Sequence, residues 1–144
     1  MKINQSVSKY SQGEICMSLP EIEKNFFSTC DKSFKFLITK HKMTLEKQGR
    51  CCHELFSEYV SPELSIYIFV ELLSGPPTVT LIKMTGKKYG KKFPLLRIVS
   101  SHFPDDPLNK TFASINRDEL NFSLIPRYAS FLQKNWEAVC EQIF

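Results

Sequence analysis

The stretch SIYIFVELLSGPPTVTLIKM, Ser65–Met84, decides the fold class. Ile66, Ile68, Val70 and Leu72 alternate with Tyr67, Phe69, Glu71 and Leu73, and then Gly75, Pro76 and Pro77 interrupt the run. Val79, Thr80, Leu81 and Ile82 follow. Two short runs rich in β-branched and aromatic residues around a Gly/Pro turn read as consecutive antiparallel strands, Ser65–Leu73 and Thr78–Met84. Both alternating sets of the first run carry apolar side chains, which places it in the centre of a sheet. Helical patterns lie on either side. The expected fold is therefore α+β: a small antiparallel sheet of three to four strands, flanked by an N-terminal helix and C-terminal helices.

Working upstream, Ser18-Leu-Pro-Glu21 reads as a capping box with Pro in the first turn. Ile22, Phe26, Cys30, Phe34 and Leu37/Ile38 then recur at helical spacing, predicting an amphipathic helix to about Lys40. Leu55–Tyr59 reads as a strand, with a shorter one near Thr44–Lys47. Residues 1–17 are polar and aperiodic, so the expectation is a loosely ordered N-terminus followed by a single α+β domain over 18–144.

Downstream, Phe93–Phe103 suits either a strand or a short helix opened by Pro94 and ended by Pro104, and the helix is preferred. Asp105-Asp-Pro107 reads as a turn. Asn116 and Glu119 form a second candidate capping box, predicting a helix from near Arg117. Leu120, Leu124, Tyr128, Leu132, Trp136, Cys140 and Ile143 continue it, and Pro126 is expected to kink or split it. Phe26, Phe34, Val70, Leu81, Leu132 and Trp136 are the expected core.

The net charge of +4 is localised. Between Leu72 and Pro104 lie six basic residues and no acid: Lys83, Lys87, Lys88, Lys91, Lys92 and Arg97. The remaining chain carries 13 basic and 15 acidic residues, which argues against a general nucleic-acid binder. No apolar run approaches the roughly 18 residues that a spanning helix needs. The opening MKINQSVSKYSQGE has neither an apolar centre nor a small-residue cleavage site. A cytoplasmic location follows as the expectation, with Cys16, Cys30, Cys51, Cys52 and Cys140 as reduced thiols.

Few residues suggest chemistry. Cys51-Cys-His-Glu54 resembles a ligand cluster, but adjacent strand residues point to opposite faces and no second ligand pair exists. Gly86-Lys-Lys-Tyr-Gly90-Lys-Lys92 fails the phosphate-loop pattern, with three residues between its glycines and no Ser or Thr after the lysines. It reads first as a hairpin tip or loop kept soluble by lysines. Its functional reading is an electrostatic contact through Lys87, Lys88, Tyr89, Lys91 and Lys92. One tyrosine offers a single stacking surface, which favours an acidic protein over single-stranded nucleic acid. Glu71, set among apolar residues, reads as a rim residue or a partner for Arg97. No catalytic residue, metal or cofactor is assigned.

The element order, carried by Ile66-Tyr-Ile-Phe-Val-Glu71, Val79-Thr-Leu-Ile-Lys83, Phe93-Pro-Leu-Leu96 and Tyr128-Ala-Ser-Phe-Leu132, resembles small bacterial α+β immunity proteins of polymorphic-toxin systems. That resemblance implies a non-enzymatic domain that neutralises a toxin by occlusion, and it carries over no functional residue. A chaperone or adaptor for a secreted protein is the alternative of similar kind. A small enzyme or a phosphate- or nucleic-acid-binding factor using the Lys87–Lys92 loop is the alternative from another class.

Overall fold

The computed structural model describes residues 18–73, 75–116 and 119–144. The expected loose N-terminus, residues 1–17, lies outside them, as does Cys16. The chain opens with α1 (Leu19–Ser33) and a short α2 (Lys35–Thr39). Five strands follow: β1 (Thr44–Cys51), β2 (Glu54–Val60), β3 (Leu64–Glu71), β4 (Thr78–Thr85) and β5 (Lys88–Pro94). Four helices close it: α3 (Leu95–His102), α4 (Pro107–Ser114), α5 (Leu124–Lys134) and α6 (Trp136–Ile143).

The strands form one antiparallel meander in the order β1-β2-β3-β4-β5. The α+β class and the pairing of Ser65–Leu73 with Thr78–Met84 match the sequence expectation, with Ile66 opposite Leu81 and Ile68 opposite Val79. The sheet has five strands, where three to four are expected. β1 is longer than its pattern suggests and β5 is unexpected. Both are edge strands with mostly exposed side chains, so neither shows the apolar alternation that marks a strand in sequence. Backbone pairing to one neighbour holds them, and lysines on β5 discourage a sixth strand.

The helices cover one face. Leu55 and Tyr59 of β2, Ile66, Ile68 and Val70 of β3, and Val79 and Leu81 of β4 lie buried beneath them. Against these pack Ile22, Phe26 and Cys30 of α1, Leu95 and Val99 of α3, and Tyr128 and Leu132 of α5, in one buried cluster. β1 extends beyond this apolar layer, and polar links tie it down. Gln48 Nε2 donates to Asp31 of α1 at 3.1 Å and to buried Ser57 at 2.8 Å. Arg50 Nε lies 2.8 Å from Glu23.

The termini of the helices explain the remaining differences. Ser18 and Glu21 make the expected reciprocal capping box. The first helix breaks at Phe34, whose N–H bonds back to the Cys30 carbonyl, instead of running unbroken to Lys40. Asp106 accepts from the Leu108 N–H at 2.9 Å and Pro107 takes the first helical position, so the expected turn also caps α4. α5 begins at Leu124, not near Arg117, and Asn116 bonds Glu119 outside any helix. Pro126 therefore sits in the first turn, where a missing N–H loses no intrahelical bond, and the split falls at Asn135 instead. Trp136 is only partly buried, packed edge-on to Phe36 and stacked on His41 at 3.9 Å.

Candidate functional site

The five residues singled out in sequence occupy a hairpin. Gly86 (φ +62°) and Lys87 make the β4–β5 turn, and Lys88, Tyr89, Lys91 and Lys92 belong to β5. The lysine segment is thus an edge strand and its tip, not a free loop. All four lysines are exposed, as is Tyr89. Lys91 Nζ lies 5.2 Å from the ring centroid of Phe93, a cation–π placement. Lys91 and Lys92 also join Arg97 and His102 of α3 around a cleft of about 250 Å³. Among the described residues no acidic side chain lines it.

The opposite face of the sheet, on which no helix packs among the described residues, carries a second constellation, which the sequence reading missed. Glu58 is 1% exposed. Its Oε2 accepts from buried Ser65 Oγ at 2.5 Å and its Oε1 accepts from Tyr89 OH at 3.0 Å. Lys47 Nζ stands 3.8 Å from the same carboxylate. Beside it, Tyr67 OH donates to Glu54 at 2.5 Å, and Glu54 faces Glu71 across the strand pair. Glu71 makes no ion pair with Arg97 among the described residues. Burial, reinforced by the carboxylates they donate to, holds the Tyr67 and Tyr89 phenols above their ordinary range.

Two bulges build this face. In β1 the register slips between Leu45 and Lys47, turning Lys47 to meet Glu58. In β5 two residues, Gly90 and Lys91, stand against Lys83 alone, so Tyr89 and Lys92 both reach the open face despite their odd spacing. Gly90 is needed there: a Cβ would lie 2.8 Å from the Lys83 carbonyl oxygen. Tyr89 on β5 bonds Glu58 on β2 across three strand spacings, roughly 14 Å, so the two side chains lie over the sheet and wall a depression in its open face. The resulting cavity, about 510 Å³, is lined by Lys47, Glu54, Glu58, Tyr67, Tyr89 and Lys92 among others.

Ser65 is wholly buried beneath the carboxylate it bonds, so its hydroxyl is part of the floor, not a nucleophile. Neither His41 nor His102 lines the cavity. Cys51 and Cys52 lie exposed at the β1–β2 turn, with Cys52 at φ 55°, and no group of three His, Cys, Asp or Glu gathers for a metal among the described residues. Comparison with protein-family models, characterised proteins and solved structures gives no match.

Proposed function

We propose that this chain is a non-enzymatic protein-binding domain that acts by occluding a partner, with toxin neutralisation as its concrete form. The observation that carries this reading is the cluster of exposed lysines, Lys87 in the β4–β5 turn and Lys88, Lys91 and Lys92 on β5, the last two joining Arg97 and His102 of α3 around a cleft with no acidic lining among the described residues. Clustered exposed cations of this kind accelerate encounter with an acidic partner. Pairing with β4 fixes the backbone that presents them.

Capture of the partner from the native host, followed by association kinetics, tests the reading. Replacing Lys87, Lys88, Lys91 and Lys92 with Ser should leave thermal stability nearly unchanged, because surface substitutions typically stay within about 0.5 kcal/mol each. The same variant should associate more slowly, and raised salt should slow the wild type in parallel. Association indifferent to both changes would overturn the basic surface as the interface. A growth assay then decides the toxin form: co-expression with the captured partner must relieve its toxicity.

A further inference from the structure

The basic surface leaves the concave face of the sheet unexplained. Three carboxylates, Glu54, Glu58 and Glu71, share that face with a row of rings. Phe56 and Tyr67 lie nearly parallel at 5.9 Å, and Tyr67 meets Phe69 at 5.3 Å. One cation of the chain already samples the place where rings and carboxylates converge. Lys47 Nζ sits 5.9 Å from the Phe56 centroid and 3.8 Å from Glu58, while its side chain remains 55% exposed. It is a loosely held occupant of a cavity with room for more.

A position over an aromatic face and beside a carboxylate stabilises a cation twice, through the ring quadrupole and through charge-assisted hydrogen bonds. A planar guanidinium exploits both better than an ammonium, because it stacks on rings and presents paired N–H groups to a carboxylate. Glu54 is pre-oriented for such a contact: it lines the cavity, is only partly buried, and is held by Tyr67 OH, and a carboxylate with about four acceptor positions keeps capacity beyond that bond, whereas Glu58 forms the floor. Lys92 stands on the cavity rim and also lines the basic cleft, so the two surfaces adjoin.

We propose that the concave cavity is the recognition pocket for an arginine side chain of the protein partner, flanked on the partner by acidic residues that meet Lys92, Lys91 and Arg97. The proposal rests on the protein-binding reading above. Lys47 is the placeholder over the Phe56 ring that the incoming guanidinium displaces, with Glu54 as the carboxylate it pairs with.

The test uses N-acetyl-arginine amide as probe and N-acetyl-citrulline amide, its uncharged counterpart, as control, with amide resonances of the full chain as readout. The arginine probe should saturably shift Phe56, Tyr67 and Phe69, and the citrulline probe should not. Glu54→Gln should weaken the arginine probe about tenfold, as expected for a lost charge-assisted bond. Lys47→Ala should tighten it, an effect that a merely structural lysine would not produce. Equal response to citrulline, shifts confined to other surfaces, or weakening by Lys47→Ala would each overturn the pocket. Glu54→Gln and Tyr67→Leu, checked for folding by circular dichroism, then go into the capture assay. A partner held equally well by both variants overturns the arginine pocket but leaves the protein-binding reading standing. Probe binding with no captured partner overturns that reading, and with it the assignment of the arginine to a protein.

Discussion

Phe34 shows how much one side chain can carry. It ends α1, is fully buried, and lies between Phe36 and Tyr59, with ring centroids 6.2 Å from each. Phe34→Ala should therefore lower stability by about 3–5 kcal/mol in urea titration. Trp136→Ala should cost less, because that ring is partly exposed and its loss chiefly frees His41. Titration at the residue scale points to alkaline sensitivity. Burial pushes the Cys30 thiol up from 9.0 to about 12. Burial likewise raises the Tyr59, Tyr67 and Tyr128 phenols above their ordinary 10.0. Each group is neutral when protonated, so the unfolded chain loses these protons first. From pH 9 upward the unfolded state binds fewer protons than the native state, and stability must fall as pH rises towards 12. Urea midpoints at about pH 8 and about pH 10.5 should show the decline, and Tyr128→Phe should make it shallower.

Among the elements, the β3–β4 connection is the most tightly constrained. The Gly75 N–H bonds the Glu71 carbonyl at 2.7 Å, and the Pro77 carbonyl accepts from buried Tyr128 OH of α5 at 2.9 Å. A Cβ on Gly75 would lie 2.5 Å from the Glu119 carbonyl oxygen. Backbone cannot yield as a side-chain tip does, so Gly75→Ala should destabilise by about 1–3 kcal/mol, the usual cost of overpacking. Thermal melts check this, with Gly86→Asn as a contrast. That turn position has φ +62° and nothing within 4 Å, so Asn, which tolerates the left-handed region, should be accepted with little loss.

At the scale of the whole molecule, stability should be graded across the sheet. β2, β3 and β4 each pair on both sides and lie under α1, α3 and α5, whereas β1 and β5 pair on one side only. Hydrogen exchange should accordingly be slowest in β3, and faster in the outward-facing amides of β1 and β5. Uniform protection across all five strands would show that the edges are covered in solution, as in a self-associated form. The residues proposed for recognition divide along the same gradient: Lys47 on β1 and Tyr89, Lys91 and Lys92 on β5 stand on the edges, while Glu54 and Glu58 stand on the inner strand β2.

The sequence by itself determined the elements whose side chains meet the core. The alternation in Ser65–Leu73 and Thr78–Met84, the stripe from Ile22 to Leu37 and the Ser18–Glu21 box all encode burial or capping within a few residues of chain. The exposure of Lys87, Lys88, Lys91 and Lys92 was legible for the same reason, since their ammonium groups cannot be buried unpaired. The edge strands were not legible, because backbone pairing leaves little trace in side-chain pattern. Nor was the start of α5, because Asn116 and Glu119 bond each other ahead of its first residue, Leu124. The concave site needed the tertiary structure altogether. Glu58, Ser65 and Tyr89 belong to three strands, and the strand register with the bulge in β5 brings them together. A bulge shifts every later side chain to the other face by adding one residue, and only the pairing of the neighbouring strand shows which residue that is.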